Sequence, residues 1–294
     1  MRITQNMMNN SLLNNLRNNY AQMDKYMEQL STGKKINRPS DDPVVAMRGI
    51  NYRSELGKVE QFDRNMGELR NWMETSDETM NQSGQALSRV REIIVQASND
   101  TYEEEQRESM SKEVDQIKNH LIDLANTKVN NKYIFNGTNT LEARFTDDGE
   151  LIANPKNDEA VMIEVSEGIQ IKANINPSNA FSEDLFTELN NLVEGLQNPD
   201  MSGDNFDEYL NVIDSHTNDL LNERADLGAR MNRVDLLETR LSQQEISTNK
   251  IMSENEDAHM EEVIMNLKMQ ESIYRSSLSA GARIIQPTLM DFLR

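Results

Sequence analysis

The stretch Leu30-Ser-Thr-Gly-Lys-Lys-Ile-Asn-Arg-Pro-Ser-Asp-Asp-Pro-Val-Val-Ala-Met-Arg-Gly49 decides how the chain is built. An apolar heptad ends just before it, and a long helical pattern starts just after it. Gly33 follows the last apolar residue of the first helix, where helices commonly stop in the left-handed conformation. Pro39 drives Arg38 toward an extended backbone. Asp42 followed by Pro43 reads as an N-cap and a first helical residue; proline loses nothing there, because that N–H has no partner inside the helix. The stretch is therefore a fixed corner between two helices. Asp41 and Arg38 are expected to add polar contacts that hold its angle.

Working back from the corner, Leu13, Leu16, Tyr20, Met23, Met27 and Leu30 step by 3 and 4, which places them on one helix face. Asn9 and Asn6 interrupt the pattern farther back, so residues 1–12 are expected to be ordered only by partners. Working forward, Leu69, Met73, Ser76, Met80, Ser83, Leu87, Val90, Ile94 and Ala97 continue the same stepping. The spacing predicts a helix from 43 to about 98, with Trp72 beside the seam and packed within its own subunit. Ser98–Tyr102 reads as a turn, and Thr101 with Glu104 as a capping box. Met110, Val114, Ile117, Leu121 and Leu124 then form a second helix, antiparallel to the first because the connection is short.

The period changes at Asn130–Thr140, where Lys132-Tyr-Ile-Phe-Asn-Gly reads as a strand entering a turn. Asp147-Asp-Gly149 signals a turn between Phe145 and Leu151. Val161–Val165 and Ile169–Ile175, split by Glu167-Gly168, read as a hairpin. This β-rich insertion, 141–178, is too small to stand without packing on helices. Ser182–Leu196 is an amphipathic helix ended by Pro199 and Gly203. A long helix follows, seamed by Phe206, Leu210, Ile213, Thr217, Leu220, Arg224, Leu227, Met231 and Val234, with Leu237 and Leu241 beyond. Arg224 inside that seam requires an acidic partner or a snorkelling geometry. Residues 243–257 are polar and read as a hinge or an exposed helix. Met260, Val263, Leu267, Tyr274, Leu278 and Ile285 restore an apolar face, and Pro287 stops or kinks it.

The resulting fold is mainly α. It is an elongated coiled-coil bundle of long helices, with N- and C-terminal helices paired and a small β-rich insertion in the middle. Three parts are expected: terminal segments 1–42 plus 243–294, a rod of 43–140 plus 179–242, and the insertion 141–178.

Composition narrows the function. The 294 residues contain no cysteine and three histidines far apart in sequence, so thiol chemistry and a disulfide framework are out. No run of about 18 apolar residues occurs, and the N-terminus lacks an apolar signal-peptide core. Membrane insertion is not expected. The net charge of −20 is uneven: residues 1–40 carry +4, residues 250–294 carry −2, and the middle holds −22. Such acidity argues against nucleic-acid binding, which needs positive surface. Near-neutral ends suit close packing against like molecules, while an acidic middle suits a solvated surface.

No catalytic, cofactor or metal constellation emerges. His259-Met-Glu-Glu-Val263 lacks the second histidine of a zinc helix, and Asp147-Asp148 lacks the other ligands of a calcium loop. No serine sits in a nucleophile elbow. No cofactor and no enzyme activity are expected.

Three motifs carry a resemblance. "LSTGKKINRPSDDP" resembles the N-terminal signature of the flagellin superfamily, and its Pro-Ser-Asp-Asp-Pro form and "NKYIFNGTNT" (131–140) resemble the hook-associated protein 3 branch. "ADLGARMNRVDLLETRL" (225–241) resembles the C-terminal core segment of flagellins. The resemblance covers roughly 1–140 and 205–294. It implies a structural subunit of the bacterial flagellum at the junction between hook-associated proteins and the flagellin filament. It also implies self-association in a ring, partners in flagellin and hook-associated protein 1, and an export chaperone on the C-terminal segment. The implied location is extracellular, reached by flagellar type III export without a cleaved signal peptide. The candidate subunit-packing residues are the six of the first heptad and the six from Met260 to Ile285 given above. Gly33, Arg38, Pro39, Asp41, Asp42 and Pro43 form the candidate corner. Two alternatives stand beside this reading: flagellin itself, which Pro43 and "YIFNGT" disfavour, and a soluble coiled-coil signalling or adaptor protein, which explains the heptads but not the motifs at both ends.

Overall fold

The computed structural model describes residues 5–98, 104–146, 148–152, 157–198, 201 and 205–285. Seven helices are described: α1 (Gln5–Thr32), α2 (Pro43–Ala97), α3 (Glu104–Ala125), α4 (Pro177–Ala180), α5 (Glu183–Gln197), α6 (Phe206–Glu256) and α7 (Met260–Ile285). Two short antiparallel hairpins interrupt them: β1 (Lys128–Val129) with β2 (Lys132–Tyr133), and β3 (Met162–Ser166) with β4 (Ile169–Lys172). Contacts divide the chain into a terminal unit, 1–58 plus 244–294, and a central unit, 59–243.

The central unit is built on the long seams. All nine seam residues of α2, from Leu69 to Ala97, are buried. Ser76 and Ser83 sit within that seam at little polar cost, because each hydroxyl donates to the carbonyl four residues back, those of Trp72 and Thr79. Trp72 is buried in its own chain. Ion pairs mark the antiparallel course of α2 against α6: Arg70 pairs with Asp235 and Glu238, Arg224 with Asp77, and Arg91 with Asp214. The Arg224 guanidinium also reaches Asn81 at 2.9 Å, so the cation inside the α6 seam meets an acidic partner. Arg89 of α2 reaches Glu113 of α3 at 2.7 Å, in keeping with a helical hairpin. The capping box expected at Thr101, and the Pro199 and Gly203 stops, lie outside the described residues, as does Pro287.

The β-rich segment packs on these helices. Asn130 and Asn131 both adopt positive φ, the geometry a two-residue β1–β2 turn needs. That turn ends the strand quickly: β2 stops at Tyr133, and Ile134 and Phe135 go into the core. The β3–β4 hairpin turns at Gly168, whose φ is +73°. Phe145 and Leu151 form an isolated antiparallel bridge around Gly149, with Asp147 itself outside the described residues. Phe145, Val165 and Ile171 belong to the same buried cluster as Leu69, Val114, Leu189 and Leu220. Ser182 caps α5 by accepting from the Leu185 amide at 3.1 Å, as its sequence position implies.

One boundary left open by the sequence is decided, in favour of the helix over the hinge, and another differs from the sequence reading. The polar stretch from 243 is helical, the last part of α6, and the chain breaks only at 257–259. Helix α1 is described from Gln5, well before the heptad begins at Leu13. In both places backbone helicity continues where side-chain patterning is silent, because cooperative propagation adds one bond per residue once a helix is nucleated.

Candidate functional site: the corner and the terminal helix pair

The candidate site lies in the terminal unit. Gly33, at φ +71°, closes α1 by donating its amide to the Gln29 carbonyl. Asp41 Oδ2 accepts from the amides of Asn37 and Arg38, at 3.3 and 3.1 Å, and folds the polar segment into a turn. Asp42 Oδ1 accepts from the amides of Val44 and Val45, at 3.0 and 3.1 Å, and caps α2 directly ahead of Pro43. Arg38 contributes through its backbone; its side chain is exposed, as are Pro39 and Asp41. We expect Asp42→Ala to cost about 0.5–2 kcal/mol, read as a lower melting temperature; an unchanged melting temperature would remove the cap from the account.

A polar clamp locks this corner to the α6–α7 connection. The Lys35 amide donates to the Glu256 carbonyl and the Ala258 amide to the Gly33 carbonyl, making a one-rung antiparallel bridge between Lys34 and Asp257. Lys34 Nζ lies 2.6 Å from Asp257 and 3.6 Å from Glu256, and Arg53 lies 2.6 Å from Glu256. Asn255 donates to the Val45 carbonyl. The Glu256 side chain is buried and fits over Gly49, where an added Cβ would stand 2.3 Å from its Oε1.

The Lys34–Asp257 hydrogen bond holds the Asp257 carboxyl below its ordinary value and the Lys34 ammonium above its own. The aspartate contribution is present above the unfolded carboxyl value and is lost as pH falls through the folded one. The lysine contribution is present below the unfolded amine value and is lost as pH rises through the folded one. The bridge is thus charged and intact across the neutral range.

Helices α1 and α7 run antiparallel. Leu12 meets Gly281, Asn19 accepts from Gln270 at 3.2 Å, and the rings of Tyr20 and Tyr274 are 6.5 Å apart. The structure divides the candidate packing residues between two environments. Leu16, Met23 and Leu30 of α1 are partly buried, as are Leu267 and Tyr274 of α7, and Val263 is buried. Leu13, Tyr20 and Met27 are exposed, at 51–59 %, and so are Met260 and Leu278. The Ile285 side chain lies outside the described residues. The covered line on α1 is Leu12, Leu16, Asn19, Met23, Tyr26 and Leu30. It shares three positions with the heptad and replaces the others by their neighbours.

Sequence reasoning missed the clamp residues Arg53, Glu256 and Asp257, and the close approaches at Gly49 and Gly281. Both glycines interrupt helical patterns without any turn chemistry, the sign of a packing demand. Among the described residues, no group of three or more His, Asp or Glu could hold a metal ion, and no helix is long and apolar enough to cross a membrane.

Comparison with known proteins converges on one family. Residues 3–140 match the model of the bacterial flagellin N-terminal helical region, and residues 210–293 match that of the C-terminal helical region. Flagellar hook-associated protein 3 of Escherichia coli (strain K12) is 26% identical over 95% of this chain and 96% of its own length. Flagellin of Bacillus subtilis (strain 168) is also 26% identical, over 80% of each chain. The crystal structure of flagellar hook-associated protein 3 from Legionella pneumophila superposes with a TM-score of 0.61 at 16% identity, over 69% of this chain and 97% of that one.

Proposed function

Because this chain belongs to the flagellin family, on its hook-associated protein 3 branch, we propose that it joins the hook-associated proteins to the flagellin filament as a structural subunit of the bacterial flagellum. The observation that carries the mechanism is the divided face of the terminal helix pair. One line of apolar residues is covered within the chain, while Leu13, Tyr20 and Met27 on α1, with Met260 and Leu278 on α7, stay open to water. In the assembled flagellum those open residues meet neighbouring subunits, so that the twelve candidate positions from Leu13 to Ile285 serve both internal and intersubunit packing. A head-to-tail interface of this kind closes into a ring or grows helically.

The division of labour follows. Segments 1–42 and 243–294 form the axial coiled-coil part, 43–140 with 179–242 form the rod, and 141–178 packs on the rod's helices. Flagellin lies on one side of the ring and hook-associated protein 1 on the other. A chaperone covers the C-terminal segment until the chain is exported to the outside of the cell. The corner from Gly33 to Pro43 holds the end of α1 against the start of α2 within the terminal unit. The likeness to hook-associated protein 3 of Escherichia coli, 26% identical over 95% of this chain, together with Pro43 and the YIFNGT stretch, supports the junction over the filament.

Electron microscopy of a strain lacking the gene tests this. We expect hooks without filaments and flagellin shed into the medium. Normal filaments would overturn the junction reading and favour an adaptor; absence of filaments with no shed flagellin would favour a filament subunit.

A further inference from the structure

We propose that the terminal unit is a site of methionine oxidation, at which a hydroperoxide turns the assembly surface polar while leaving the helical core folded. The inference rests on the reading of that unit as the assembly surface.

The chain has 18 methionines and no cysteine, so thioethers are the only soft sulfur a peroxide meets. Their exposure is sharply divided. In the terminal unit Met27, Met47, Met260, Met265 and Met269 are all exposed, Met265 at 61 %, and Met7 and Met8 join them. In the central unit Met66, Met73, Met80 and Met110 are buried, Met66 at 1 %; Met162 on β3 is the exposed exception among the described residues. Met265 and Met269 are one helical turn apart on α7, with the exposed Ile273 one turn beyond. They add a second apolar flank to the one that carries Met260 and Leu278.

The chemistry needs only the oxidant. A thioether sulfur lone pair attacks one oxygen of hydrogen peroxide and the O–O bond breaks. Sulfur keeps that oxygen as a sulfoxide and gives up two electrons, and the second oxygen leaves as water. Exposure governs which sulfurs react, and the product is a polar, chiral side chain in place of an adaptable apolar one. The covered α1–α7 line contains only one methionine, Met23, and it is partly buried. Oxidation therefore falls on what the pair presents outward rather than on what holds it together.

The test treats the purified full-length chain with hydrogen peroxide and follows three readouts: sulfoxide at each methionine by peptide mass spectrometry, helical circular dichroism, and the number of filaments restored when the protein is added to cells lacking the gene. We expect the exposed methionines of the terminal unit to oxidise at least tenfold faster than Met66, Met73, Met80 and Met110, by order of magnitude. Helicity is retained, and restoration falls by roughly tenfold or more, the consequence of losing one buried methionine contact. The variant Met7→Leu/Met8→Leu/Met27→Leu/Met47→Leu/Met260→Leu/Met265→Leu/Met269→Leu conserves apolar volume and should keep its treated-to-untreated ratio near one. Comparable oxidation in both units, helicity lost in step with oxidation, or undiminished restoration by the oxidised chain would each overturn the proposal. If the untreated chain restores no filaments, the junction reading falls, and the oxidation rates and helicity still judge the site.

Discussion

Phe186→Ala is expected to destabilise the central unit by about 3–5 kcal/mol, the range for emptying a buried aromatic site. Phe186 of α5 is 1% exposed, and its ring lies 4.6 Å from that of Phe145, centroid to centroid. It also closes on Gly149, where an added Cβ would sit 3.2 Å from its own Cβ and 3.3 Å from Ile122 Cδ1. One side chain therefore joins α3, α5 and the segment before the β3–β4 hairpin. Truncating it removes the aromatic pair as well as the buried area. The Gly149 turn, at φ +84°, has little freedom to collapse into the space. Chemical denaturation of the variant checks this. A loss below about 1 kcal/mol would mean that the β-rich segment does not share the helical core.

Glu256→Ala should have the next largest effect, about 1.5–3 kcal/mol, in the range for a hydrogen bond to a charged group. The removed carboxylate is buried, but its partner Arg53 is 63% exposed. The stranded guanidinium can turn to water, so the penalty stays below that of breaking a fully buried pair. Lys34 keeps Asp257, and the backbone rung between them survives. The loss should fall on the terminal unit: faster amide exchange at Lys35 and Ala258, whose amides make the rung, with the centre of α2 unchanged. Equal acceleration along α2 from Leu69 to Ala97 would contradict a local clamp.

The sequence was most readable where one helix face meets one neighbour. From Leu69 to Ala97 every residue on the α2 seam is buried, because a strict 3–4 step over many turns leaves one packing solution. The same step on α1 selected a direction between two faces. Leu16 and Met23 are partly buried, while Leu13 and Met27 stay exposed. An apolar arc wider than one partner needs cannot say from spacing alone which edge is covered inside the chain.

Corner chemistry was legible in Gly33, Asp42 and Pro43, since caps and stops act within a few residues. The clamp was not, because Lys34 and Asp257 are 223 residues apart and polar, and nothing in a local pattern pairs them. The short α4, only four residues from Pro177 to Ala180, fell below any periodic signal. Its Asn176 cap and first-position proline were the available clue. The polar end of α6 was ambiguous for the opposite reason: helical hydrogen bonding continued where no apolar stripe reported it.

Imaging of the native hook–filament junction tests the central claim most directly. The account predicts this chain in a ring between hook-associated protein 1 and the first flagellin subunits, with Leu13, Tyr20 and Met27 of each copy buried against its neighbours. A chain distributed along the filament, or one whose α1 face remains open to water in the assembled structure, would contradict it.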